Sequence, residues 1–159
     1  MNIVRVKIDT ENEKPRWLQV PDRFVSDIHK GTQLFCEVKG TRTTGHATTE
    51  VMQGEGIEEL LSQKVSHFDD LKVLGVFKMI PLKDIKICEL MKCNPPRVEK
   101  IAKRIEELYS LSYFDTTVEI NTDNYLMDGY TAYLVSKMFD LEHIWGVTTC
   151  CQGRSYKCD

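Results

Sequence analysis

The run Asn94-Pro95-Pro96, and the periodicity behind it, fix one helix in this chain before anything else is known about it. Proline has its φ preset and lacks an amide hydrogen, so it is accommodated where a helix starts, and Asn94 is placed to cap the first free amides. Behind it Val98, Ile101, Ala102, Ile105 and Leu108 recur at helical spacing, leaving Arg97, Lys100, Lys103 and Arg104 near the opposite side. A helix with one apolar stripe has to be covered by other elements. The search is therefore for strands on either side of it.

Upstream the pattern has a period of two. Ile3 to Ile8 and Leu34 to Val38 alternate apolar and polar residues, and His46 to Met52 does so weakly. Val20-Pro21-Asp22, Lys30-Gly31-Thr32 and the segment from Gly40 to Gly45 supply the turn residues between these runs. Four short strands with glycine turns predict a small barrel of SH3-like or OB-like size. A short helix is expected from Gly56 to Gln63, and the polar stretch Ser66 to Asp70 marks a boundary. The expected domains are 1–66, small and β-rich, and 67–159, giving an α+β chain.

From Leu71 the pattern changes to apolar Val73 to Phe77, then Met79 to Leu82 and the alternating Ile85 to Ile87, two strand candidates in quick succession. After the helix come a strand at Thr117 to Ile120, a turn from Asn121 to Asn124, its hairpin partner Tyr125 to Met127, a helix from Tyr130 to Phe139, and a closing strand His143 to Val147. The order is strand, helix, strand, strand, helix, strand. No repeat and no low-complexity tract interrupts it.

That order, carried by Ile80-Pro81-Leu82-Lys83-Asp84-Ile85, by Asn94-Pro95-Pro96 with its amphipathic helix, and by Tyr125-Leu126-Met127-Asp128-Gly129-Tyr130, resembles the ParB/sulfiredoxin superfamily over residues 77–147. The resemblance implies a ParB/sulfiredoxin-like α/β domain and an origin on a phage or other mobile element. In active members the strand-to-helix turn holds a glycine, a polar pair and an arginine, because helix amides and a guanidinium together hold an anion. Here the stretch is Gly129-Tyr130-Thr131-Ala132, with Ala132 where the arginine is expected. The departure argues against sulfiredoxin chemistry and against nucleotide hydrolysis. Nucleotide-binding candidates are Asp128, Gly129, Tyr130 and Arg97. Nucleic-acid candidates are Arg97, Lys100 and Arg104.

A net charge of −3 over 159 residues lacks the footprint of an autonomous duplex binder, so any nucleic-acid contact needs a local basic face. No apolar run approaches the roughly 18 residues of a membrane span, and the start MNIVRVKIDTENEK has no apolar core of signal-peptide type, so a cytoplasmic protein without membrane contact is expected. Six cysteines in such a chain are thiols, ligands or reactive groups sooner than disulfides. Cys88, Cys93, Cys150, Cys151 and Cys158 flank the first and last strands of the second half. They form a candidate structural zinc site, with His67 and His143 as spare ligands, set against a reading as unrelated thiols.

The functional expectation is a non-catalytic binding protein acting on a nucleic-acid-handling machine, with inhibition of a host defence nuclease, as anti-CRISPR proteins do, as one form. Trp17, Tyr109, Tyr113 and Phe114 are its candidate anchors on a protein partner. Two alternatives stand beside it: a ParB-like nucleotidase or nuclease built around Asp128, Tyr130 and Arg97, and a nucleic-acid-binding adaptor.

Overall fold

The computed structural model describes residues 1–10, 14–54, 57 and 71–149. Packing divides the chain into two compact units, Met1–Phe77 and the part from Lys78 onward. The expected boundary at 66/67 lies outside the described residues. So does the expected helix from Gly56 to Gln63, apart from Ile57, which is helical.

The first unit is a closed barrel. Its strands are β1 (Asn2–Ile8), β2 (Arg16–Gln19), β3 (Gln33–Val38), β4 (Thr41–Ala47) and the start of β6 (Leu71–Pro81), while β5 (Met52–Gln53) adds onto β1. β1 pairs with β2 and β4, β4 with β3, and β3 with β6, all antiparallel. A parallel contact at Gln19↔Lys72 joins β6 to β2 and completes the ring. Closure removes the free edges on which strands aggregate. Alternation fills the interior: Val4, Val6 and Ile8 from β1 and Leu34, Cys36 and Val38 from β3 are buried. On β1 Ile3 is buried as well, covered by Ile57 and Trp17.

Two expectations change here. The segment from Gly40 to Gly45 is strand from Thr41 onward, because the reversal is confined to Lys39 and Gly40, both at positive φ (51° and 76°), with Val38 paired to Thr41. Two consecutive left-handed residues match the right-handed twist of the flanking strands, and the threonines that follow favour extended backbone. Second, Val73 to Phe77 and Met79 to Leu82 are not separate strands: Leu71–Pro81 is continuous.

The second unit has the expected order with one helix added ahead of the expected first one. The end of β6 (Lys78–Pro81) leads through a short helix α1 (Glu89–Cys93) to α2 (Val98–Leu111), β7 (Val118–Asn121), β8 (Leu126–Asp128), α3 (Tyr130–Met138) and β9 (His143–Thr149). The sheet runs β6-β9-β7-β8. β7 pairs parallel with β9 and antiparallel with β8. Asn121 makes the β7–β8 turn, its side-chain oxygen accepting from the Asp123 and Tyr125 amides at 2.9 Å each. Ile80, Leu82, Ile85, Val118, Ile120, Leu126, Ala132 and Ile144 form the core.

Ile85 to Ile87 is not a strand; Lys86 makes only an isolated bridge to Tyr125. Nor does Asn94 cap α2. Its amide and side chain donate to Met91 and Leu90 carbonyls, closing α1, and Arg97 occupies the residue before α2 with no side-chain cap. Among the described residues no helix is long and apolar enough to cross a membrane.

Candidate anion-binding cleft

β8 ends in Asp128, and the chain turns into α3 through Gly129 at φ 86°. That left-handed conformation suits glycine, and a Cβ there would sit 3.0 Å from the Cα and Cγ2 of Val118. The Gly129 amide donates to Asp128 Oδ1 at 2.6 Å. No side chain caps α3, so the amides of Tyr130, Thr131 and Ala132 keep no partner among the described residues. Gly129 accepts the first helical bond, from Tyr133 at 3.0 Å, and the Tyr130 and Tyr133 rings stack at 6.4 Å.

Opposite this helix start lies the polar edge of α2. Lys100, Lys103 and Arg104 sit within one turn because residues three and four apart share a face. They line, with Thr116, Asp128 and the residues Gly129 to Ala132, a cavity of about 290 Å³. Arg104 is half-buried and anchored: its Nη1 donates to Glu107 Oε1 at 2.7 Å and reaches Oε2 as well. The hydrogen bond from Arg104 holds the Glu107 carboxyl below the usual carboxylate range, helped by the charges of Arg104 and Lys103. The Lys100 and Lys103 ammonium groups carry no ion pair or hydrogen bond among the described residues. The lining therefore sets three cationic side chains and a row of free amides against one carboxylate.

No protein-family model matches the chain, and no curated protein matches it. Among solved structures it is similar to a Pnob8-like ParB-N domain, with a TM-score of 0.41 and 15% identity over 46% of this chain and 29% of that chain.

The cleft joins residues that the sequence placed in two groups. Asp128, Gly129 and Tyr130, expected at a nucleotide, and Lys100 and Arg104, expected at a nucleic acid, line the same cavity. Arg97, expected in both groups, is exposed ahead of α2 and does not line it. Lys103, Thr116 and Thr131 join the lining without having been singled out. For Lys103 the signal was present, three residues from Lys100 and beside Arg104. Thr116 stands in a loop where no periodicity marks it.

Of the candidate zinc ligands, Cys88 is buried ahead of α1 and Cys93 is exposed at its end. Cys150, Cys151, Cys158 and the spare ligand His67 lie outside the described residues, and His143 is exposed at the start of β9. The described residues contain no group of three or more His, Cys, Asp or Glu side chains able to hold a metal. Cys36 is a different case. Burial in the barrel, and secondarily the Asp9 carboxylate, push its thiol up to about 12, so it stays protonated and unreactive at neutral pH. Iodoacetamide at about pH 8 is expected to label Cys93 in the folded protein and Cys36 only after denaturation, read by peptide mass mapping. Labelling of both at equal rates in the folded protein would show that the barrel interior is open.

Proposed function

We propose that this protein is a non-catalytic binding protein whose second unit holds a phosphate-bearing ligand, a nucleotide in the first instance, in the cleft between α2 and the start of α3. The observation that carries the reading is the convergence of Lys100, Lys103 and Arg104 on the uncapped start of α3 around one cavity. Charge-assisted contacts and oriented amides are what a phosphate group takes. A concave site of about 290 Å³ suits a small ligand better than the flat, extended track a nucleic-acid backbone follows. Binding without turnover fits the lining: it offers no histidine or thiol, and its single carboxylate, Asp128, accepts the Gly129 amide. A role on a nucleic-acid-handling assembly, which the sequence resemblance implies, is served by such a site as a sensor of nucleotide.

Calorimetric titration with a nucleoside triphosphate, inorganic triphosphate and a short single-stranded oligonucleotide tests this. Saturable one-to-one binding of the nucleotide, displaced by inorganic triphosphate and with nucleotide recovered intact, is the expected result. Tight binding of the oligonucleotide with none of the nucleotide would move the assignment to nucleic acid. Release of phosphate would make the protein an enzyme.

A further inference from the structure

Helix α2 has a second edge that the cleft does not use. Of the apolar stripe that periodicity predicts, Ile101, Ile105 and Leu108 are half-buried, but Val98 is 77% exposed and Ala102 is exposed beside it. Tyr109, 75% exposed, continues the same column one turn beyond Ile105, and its ring meets that of Phe139 edge-on at 5.6 Å. Met138, 62% exposed, lies next to Phe139 at the end of α3. Removing apolar side chains from water is favourable, so an uncovered column of them marks a contact surface.

The charges beside the column say what covers it. Glu99 and Glu106 are exposed and stand three or four residues from Ala102, which places both along the solvent side of the column. Neither carboxylate has an ion-pair or hydrogen-bond partner among the described residues. A second copy is disfavoured, since antiparallel two-fold packing of two such helices would face the Glu99 edge of one with the Glu106 edge of the other, acid against acid. We infer that the ridge formed by Val98, Ala102, Tyr109 and Phe139 docks an amphipathic helical segment of a protein partner whose apolar face is bordered by lysine or arginine. The apolar column supplies the affinity, and the two free carboxylates select the sign of the partner's rim.

The test uses two labelled helical peptides of about 18 residues, some five turns, with the same leucine face and either lysine or glutamate beside it. Each is titrated by fluorescence anisotropy into the full chain at about 0.15 M salt. The lysine peptide is expected to bind saturably at one per chain, and the glutamate peptide at least about tenfold more weakly. Val98→Ser with Tyr109→Ser, and separately Glu99→Lys with Glu106→Lys, should each weaken the lysine peptide by about tenfold or more. The second pair leaves the apolar column intact and guards against a folding defect in the first. Equal binding of the two peptides, or unchanged affinity in both double variants, overturns the inference. Concentration-dependent dimers that disappear in the serine variant would assign the ridge to a second copy instead.

Discussion

Gly146→Ala is expected to lower the thermal midpoint of the protein by about 9 °C, corresponding to a loss of roughly 3 kcal/mol. Gly146 lies on β9 opposite Val118 of β7 in a parallel pair. A Cβ there would come within 2.6 Å of the Val118 carbonyl oxygen and 2.7 Å of Ile80 Cδ1. The carbonyl belongs to a paired strand and has nowhere to go, and Ile80 is itself packed in the core. One methyl group therefore has to move β9 away from β7, and the floor on which β8 and the Asp128–Gly129 turn rest moves with it. His143→Ala, an exposed change on the same strand, is expected to stay within about 0.5 kcal/mol. A thermal melt with an unshifted midpoint in Gly146→Ala would contradict the register of β7 against β9.

The element order of the second unit was legible because its signals are local. Periodicity marked α2, turn residues marked the β7–β8 hairpin, and Asp128-Gly129 marked the entry to α3. What failed to read was whatever depended on partners distant in the chain. Arg16–Gln19 is too short to show alternation and is a strand because β1 pairs with it. Ile85 to Ile87 has the alternation of a strand but finds only a single bridge, at Lys86. Asn94 has the right side chain to cap α2, yet α1 ends first and takes it. For the two strand segments tertiary pairing decided between options that the local sequence left equal, and at Asn94 two neighbouring helix ends competed for one side chain.

The two edges of α2 show the same limit at the site. Helical spacing separates an apolar from a basic side, but the apolar stripe it predicts is wider than the surface available to cover it. Val98 and Ala102 are left in solvent as a result. The candidate anchors divide on similar grounds: Tyr109 and Tyr113 are exposed, whereas Phe114 packs against the core and Trp17 against Ile3 and Ile57. On the basic side the sequence separated nucleotide from nucleic-acid candidates because Lys100 and Asp128 lie far apart in the chain. Packing of α2 beside the start of α3 makes them one lining. Arg97, the residue immediately before α2, is not in that lining.

Reversing the two lysines, Lys100→Glu with Lys103→Glu, is expected to weaken a triphosphate-bearing ligand by about 100-fold while leaving the fold intact. Both side chains are exposed and make no hydrogen bond or ion pair among the described residues; the one internal interaction lost is the weak favourable charge of Lys103 on Glu107, which Arg104 still holds. Arg104 is kept in this variant, because it is tied to Glu107 and its loss would leave that carboxylate unpaired. A hydrogen bond from a charged donor contributes about 1.5–3 kcal/mol, so two of them account for a 100-fold change, and the new carboxylates add repulsion. Salt gives a second readout: with two cation–phosphate contacts removed, the affinity for the triphosphate should fall less steeply as salt is raised. Affinity that survives the double reversal with an unchanged salt slope would mean that the ligand sits elsewhere. Loss of affinity with the far-UV spectrum and thermal midpoint unchanged would locate the phosphate between α2 and the first amides of α3.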